Sequence, residues 1–315
     1  MGVGYLGNFH VQKYLSLPDL DVIGVVETNP PRAQEISAKY GIPAFESLAP
    51  LLGQVDLVSI VTPPKHHFAA ASLCLQQGVH VLVEKPVTET VQEAQQLIEL
   101  AHRRHCVFQV GHLERFNPAV IAVRRRIDAP LRIEARRLSK YQKRGTEVDV
   151  VLDLMIHDID IVLSLVNSPL ESVQATGSIV VSGDIDIAHA TLRFTDGCVA
   201  ELTASRVNRE PVRAMKIYQA ETYIAVDYLN HTLLVGRQGH PAVAEQPAVE
   251  INFEEESLVR TDVLMDEIAS FVDAVRHGGA PTVSGEDGKR ALEVAVAISS
   301  QIRAKPEFRQ AHQAH

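Results

Sequence analysis

The sequence predicts an α/β protein of two domains: a doubly wound parallel sheet over residues 1–118, then an α+β domain over residues 119–315 with a large, mainly antiparallel open sheet. Three observations predict it. Strand-like and helix-like runs alternate over roughly the first third of the chain, a glycine-rich turn opens that series, and past Pro118 strand-like runs follow one another closely.

The opening residues Gly2-Val3-Gly4-Tyr5-Leu6-Gly7 fit the pattern GxGxxG. There the first glycine makes a tight turn, the second lets the backbone approach a pyrophosphate, and the third lets a helix pack closely on a strand. A helix from about Asn8 to Leu17 then offers its N-terminal amides to the phosphates. Asp21 to Glu27 reads as a strand and Pro31 to Tyr40 as a helix with proline near its start. Val55 to Thr62 reads as the next strand, and Phe68 to Gln77 as a helix stopped by Gly78. The apolar run Val79 to Val83 follows, closed by Glu84-Lys85-Pro86, then the helix Thr90 to Arg104 and the strand Cys106 to Val110. Helices of this length between strands imply right-handed crossovers and parallel pairing.

Glu27 lies twenty residues after Gly7, at the end of the second strand. A carboxylate there accepts hydrogen bonds from the adenosine ribose and repels a 2′-phosphate, which selects NAD over NADP, with Arg32 nearby keeping NADP as the lesser alternative. The fingerprint begins at residue 2, so the strand that should precede it is missing, and a misassigned or truncated start is the expectation. Its loss should cost the Glu27 strand and the Lys85 strand a neighbour each, at about 1–3 kcal/mol per unpaired buried group.

In the second domain the run from Pro130 to Leu138 is followed by a helix and by strand-like runs Val173 to Val181, Ala188 to Phe194, Cys198 to Arg206, Val212 to Gln219, Thr222 to Asp227 and His231 to Val235. Close spacing and turns such as Thr195-Asp196-Gly197 suit antiparallel pairing. Asp266 to His277 and Glu286 to Ala304 read as closing helices around the loop Gly278 to Gly285.

Composition narrows the function classes. With 46% hydrophobic residues in 315, each domain can bury a core, and a net charge of −9 argues against a nucleic-acid face. Arg124-Arg125-Arg126 reads as a solvated helix face. Cys74, Cys106 and Cys198 show no CxxC spacing, which argues against disulfides and structural zinc. No signal peptide and no apolar run of about eighteen residues stand out, so the expectation is a cytoplasmic protein without membrane contact.

Two clusters carry chemistry. Lys85 closes a buried strand ahead of a proline that ends pairing, a position that opens onto the ligand crevice of an α/β sheet, whereas a structural lysine snorkels from a helix face. Asp153 and His157, four apart on a mostly apolar helix, share a face, where a carboxylate can orient an imidazole and hold its proton. The bland alternative for His157 is a satisfied core histidine; Asp158 and Asp160 read as structural or solvated. A metal held by His157, Asp153, His112 and Glu114 lacks HExxH or a close Cys/His quartet, and no GxSxG elbow supports a serine hydrolase.

Over essentially the whole chain, these residues resemble the Gfo/Idh/MocA oxidoreductases. The resemblance rests on the glycine fingerprint, Thr62-Pro63-Pro64 with His67, Glu84-Lys85-Pro86, Gly111-His112, the Asp153 and His157 pair, and the closing pattern Glu267 to Phe271 through Ser284 to Gly288. It implies a Rossmann domain joined to an open-sheet domain, NAD as cofactor, and oxidation or reduction of a secondary alcohol on a sugar or cyclitol. Within the family, Gly111-His112-Leu113-Glu114-Arg115-Phe116-Asn117-Pro118 and Arg144-Gly145-Thr146 look most like the UDP-N-acetylglucosamine 3-dehydrogenase branch, whose keto sugar passes to an aminotransferase for lipid A-type saccharides. The cofactor residues so implied are Gly2, Gly4, Tyr5, Leu6, Gly7, Glu27, Thr62, Pro63, His67, Glu84 and Lys85. Lys85, His157 and Asp153 are the catalytic candidates, with either Lys85 or His157 as formal base. Substrate contacts fall to Lys85, His112, Arg115, Asn117, Arg144, Asp153 and His157. Arg115 and Arg144 suit a diphosphate, or an interdomain or subunit salt bridge; Tyr141 suits stacking or packing. The alternatives are a free sugar or cyclitol dehydrogenase of the same fold and a non-catalytic NAD(H)-binding regulator. An open sheet face uncovered by helices implies a homodimer or homotetramer.

Overall fold

The computed structural model describes residues 1–142, 148–239, 251–306 and 308. The chain divides into two compact units, one of Met1–Phe116 with Asp262–Leu292, the other of Asn117–Thr261 with Glu293–His315.

The first unit opens with α1 (Tyr5–Ser16), β1 (Val25–Val26), α2 (Pro30–Tyr40) and β2 (Ala44–Phe45). Asn29 caps α2 by accepting from the Arg32 amide, and Gly41 ends it in the left-handed conformation. Then follow β3 (Leu57–Ile60), α3 (His67–Gln76), β4 (His80–Glu84), α4 (Val91–Arg104) and β5 (Phe108–Gly111). A capping box between Thr90 and Glu93 starts α4. These strands pair in parallel, in two pieces: β1 with β2, and β3-β4-β5.

Residues 1–3 lie between the two pieces. The Gly2 amide donates to the Val26 carbonyl at 2.8 Å, the Val61 amide donates to the Met1 carbonyl at 2.8 Å, and the Met1 amino group donates to the Ser59 carbonyl at 2.7 Å. A cavity of about 380 Å³ adjoins them, lined by Val11, Tyr14, Val22, Val25, Leu57 and Val58 among others. The expectation that the Lys85 strand loses a neighbour is corrected here: β4 pairs on both sides, with β3 and with β5. The error came from β2, a two-residue strand too short to show a period, which moves every later strand one place outward.

The second unit begins with α5 (Pro118–Arg124) and β6 (Pro130–Leu138); a π-helical turn over Val151–Met155 leads into α6 (Ile156–Leu165). β7 (Leu170–Ser178), β8 (Ile187–Phe194), β9 (Val199–Ser205), β10 (Val212–Gln219), β11 (Thr222–Asp227), β12 (Thr232–Gln238) and β13 (Ile251–Ser257) complete an eight-stranded sheet in the order β13-β12-β11-β10-β6-β9-β8-β7. Among the described residues only β6 and β9 pair in parallel within it. Alternation puts Ile133, Ala135, Leu202, Ala204, Met215 and Ile217 on a buried face, and α6 packs over β6 and β9. The opposite face is polar, with Arg132 paired to Glu134 and Glu201.

The closing helices α7 (Val263–His277) and α8 (Gly285–Ala304) match the sequence reading in extent. A single division after Pro118 would place α7 in the second domain, yet it belongs to the first unit: Ile268 and Phe271 are buried against Leu82 and Val107, with Leu6, Phe9 and Tyr14 around them. Among the described residues no helix is long and apolar enough to cross a membrane.

Candidate active site

The glycine loop is built by close contacts. Gly2 sits at φ +77°, and a Cβ there would lie 2.9 Å from Thr62; one on Gly7 would lie 2.0 Å from the Gly2 carbonyl oxygen. A Cβ on Gly4 would meet nothing within 4 Å. Gly4 is the N-cap of α1, whose first turn carries no side-chain cap and no acidic residue. Open space over uncapped helical amides suits a pyrophosphate.

Glu27 is held in place by backbone: its carboxylate accepts from the Val3 amide at 3.0 Å and the Asn29 amide at 2.9 Å. Arg32 donates to the Val3 carbonyl at 2.7 Å and the Gly4 carbonyl at 3.2 Å, and pairs with Glu35 at 2.7 Å. Its guanidinium therefore buttresses the loop from behind, which weakens the case for it as a 2′-phosphate partner.

His67 ties two strand ends together. Its Nδ1 lies 2.9 Å from the Pro86 carbonyl and its Nε2 2.8 Å from the Thr62 carbonyl, both acceptors. Burial pushes its pKa down, against the opposing pull of those carbonyls and the Glu84 charge. The burial cost dominates, so the neutral ring donates to one carbonyl only. Its geometry is that of a clamp beneath Thr62 and Pro63, between the ends of β3 and β4.

Lys85 leaves the end of β4 half-buried, and the Lys85–Pro86 bond is cis. Behind it, Glu84 meets His10 of α1 at 3.1 Å and packs on Gly111, where a Cβ would lie 2.9 Å from the Glu84 carboxyl carbon. His112 is buried just past β5, and Arg115, 7% exposed, faces Asp287 at 3.6 Å within the same unit. The Asn117 side chain caps α5 through the Ala119 amide at 3.0 Å, a local structural task for a residue expected at the substrate.

In the second unit Asp149 sets the start of the candidate helix. Its carboxylate accepts from the Val151 and Leu152 amides at 2.9 and 3.0 Å and from Arg303 at 2.7 Å. The Ile156 amide reaches back to the Val151 carbonyl, so Asp153 lies in a π turn and His157 in the α-helical turn after it, not both in regular α-helix as the spacing suggested. Such turns are frequent at functional sites. Both side chains are half-buried. Asp158 forms a buried bidentate pair with Arg137 at 2.8 and 3.0 Å, the structural role read for it. Tyr141 is exposed at 38%, and Arg144, Gly145 and Thr146 lie outside the described residues.

Sequence reasoning gave no site role to His10, which meets Glu84, to Glu267, whose carboxyl feels the Glu84 charge, or to Gln109, which donates to the Glu267 carbonyl. One signal was present: Glu267 occupies a core position of the face Leu264, Ile268 and Phe271 on α7. Among the described residues no group of three or more His, Cys, Asp or Glu side chains is arranged to hold a metal.

Residues 1–112 match the family model described as oxidoreductase family, NAD-binding Rossmann fold, and residues 119–224 match the GFO/IDH/MocA C-terminal domain. The chain is 40% identical over 305 residues to UDP-N-acetylglucosamine 3-dehydrogenase of Acidithiobacillus ferrooxidans, covering 96% of each. A solved structure of that enzyme superposes with a TM-score of 0.90, again over 96% of each chain. The NAD(+)-dependent scyllo-inositol 2-dehydrogenase of Bacillus subtilis is 27% identical over 329 residues, covering 96% of this chain and 93% of its own.

Proposed function

The chain belongs to the Gfo/Idh/MocA family of NAD-dependent oxidoreductases, and from that membership we propose that it oxidises the 3-hydroxyl of UDP-N-acetylglucosamine to the 3-keto sugar. The observation that carries this reading is the likeness, over nearly its whole length, to the A. ferrooxidans enzyme. Bound NAD would supply the hydride acceptor for this oxidation. The chain's own residues must then hold the cofactor, place the hydroxyl and take its proton.

Gly2, Gly4, Gly7 and Glu27 hold the pyrophosphate and the adenosine ribose. Tyr5, Leu6, Thr62 and Pro63 border them, while His67 and Glu84 brace the strand ends. Lys85 donates a hydrogen bond to the 3-oxygen and stabilises the alkoxide as the proton departs. Lys85 or His157 takes the proton; Asp153 orients the imidazole or accepts from a ring hydroxyl. Arg115 and Arg144 are the cations proposed for the diphosphate, with His112 and Asn117 beside the sugar. The polar open face of the eight-stranded sheet is proposed to pair subunits, and an aminotransferase to consume the ketone.

The test is NADH formation from NAD and UDP-N-acetylglucosamine with the ketone trapped, because alcohol oxidation by NAD runs uphill. Turnover that disappears with free N-acetylglucosamine or myo-inositol is the expected result. Turnover of myo-inositol alone would replace the nucleotide sugar with a cyclitol, and NADH binding without turnover of any of them would reject these substrates.

A further inference from the structure

Beneath the strand end that carries Lys85 lies a polar cluster that the proposed chemistry leaves unused. Glu267 of α7 is fully buried, and neither of its carboxyl oxygens has a hydrogen-bond partner. The Gln109 amide of β5 donates to the Glu267 backbone carbonyl at 3.2 Å, while its own oxygen has no partner. His10 of α1 reaches Glu84 through Nε2, and its Nδ1 is likewise buried without a partner. Tyr14, one turn further along α1, bonds the Ser59 hydroxyl at 2.7 Å. Acceptors outnumber donors here, which is costly in a buried site.

We propose that Glu267 is a positioning residue that holds a proton at neutral pH beside the Glu84 carboxylate, leaving Glu84 paired with His10 and so fixing the end of β4 from which Lys85 departs. An added proton on Glu267 supplies the donor that the cluster lacks. A second bare charge near Glu84, on the buried face that α7 shares among Leu264, Ile268 and Phe271, would repel the first and lose its hydration. Burial, and then the Glu84 charge, push the Glu267 pKa well up. The titratable groups around Glu267 are His10 and Tyr14 on α1 and Glu84 on β4, and burial pushes Tyr14 up as well, so the phenol stays neutral. His112 follows β5. On the elements packed against α7, Lys13 of α1 pairs with Asp262 and Arg115 faces Asp287, while Lys85 follows Glu84 in the chain.

A carboxyl whose native pKa is raised stabilises the fold fully only below its unfolded value; the contribution falls as pH rises toward the native value. The measurement is the unfolding midpoint of wild type and Glu267→Gln across about pH 5 to pH 9, with NADH affinity followed by nucleotide fluorescence. The glutamine keeps the neutral shape and cannot ionise. The expected result is that Glu267→Gln gains on wild type by several degrees as pH rises, with NADH affinity unchanged. Parallel curves would overturn the proposal, because they would mean that Glu267 holds no extra proton. The role assigned to Lys85 rests on the proposed dehydrogenase activity, so turnover is a separate arm. There Glu267→Gln should hold kcat further into alkaline pH than wild type, at equal KM, whereas Glu267→Leu should lower kcat at every pH. If no sugar is turned over while the stability curves diverge, the substrate reading alone fails. If turnover is normal and the two pH profiles coincide, the positioning role fails.

Discussion

The Gly2 carbonyl oxygen occupies the space that a side chain on Gly7 would need, 2.0 Å from where its Cβ would stand. The two residues are thus locked together across the first turn of α1. Gly7→Ala must push backbone against backbone, costing about 1–3 kcal/mol of stability, and it should weaken NADH binding. Gly4→Ala is the informative partner, because its Cβ meets open space within 4 Å. It should fold with an unchanged melting temperature yet lose roughly tenfold or more in NADH affinity, since the methyl fills the pyrophosphate cradle. Tight binding by Gly4→Ala would refute that placement of the cofactor.

Cofactor preference should follow Glu27. Its carboxylate is immobilised by the Val3 and Asn29 amides, and Arg32 is held by the Val3 and Gly4 carbonyls. Glu27→Gln keeps the shape and removes the charge, so the NADH over NADPH preference should shrink by roughly ten- to a hundredfold. Fluorescence titration with both nucleotides measures it. An unchanged ratio would take Glu27 out of ribose recognition.

Long-period features of this fold were legible in the sequence and short-range exceptions were not. The helix Val91–Arg104 was readable as Thr90 to Arg104, and β8 to β11 as strand-like runs separated by turns such as Thr195-Asp196-Gly197. By contrast β2 has two residues and no period, and β13, exposed along its length and facing a single neighbour, carries Glu254-Glu255-Glu256 where a strand would show apolar residues. The π turn at Val151–Met155 was hidden because an i to i+4 spacing places Asp153 and His157 on nearly one face in either helix type. At the candidate site the glycines and Lys85 were readable as motifs. The cluster of His10, Gln109 and Glu267 was not, since its members come from three elements brought together only by packing.

The buried pair of Arg137 and Asp158 joins β6 to α6 next to His157. Asp158→Asn or Arg137→Met breaks a buried ion pair from one side, so each should cost about 3–5 kcal/mol. The double replacement Arg137→Met with Asp158→Leu should cost clearly less than either. Urea unfolding of the three variants tests the coupling; additive losses would mean that the two groups do not act as a pair.

The roles proposed for Lys85 and His157 can be told apart by the rate and its pH profile. A group that holds the 3-oxygen only as charge develops acts in the transition state, so its loss lowers kcat and leaves cofactor affinity alone. Lys85→Ala is therefore expected to lower kcat by on the order of 10²–10⁴ while NADH binds nearly as before. Lys85→Arg keeps the charge but lacks the compact ammonium and should recover little. If His157 is the proton acceptor, His157→Asn should abolish the acid limb of the kcat profile, because the limb reports the group that must be deprotonated. If Lys85 is the acceptor, His157→Asn should keep that limb and lose rate evenly across pH. A Lys85→Ala enzyme with near-normal turnover would remove Lys85 from the chemistry and leave His157, with Asp153, as the acid/base pair.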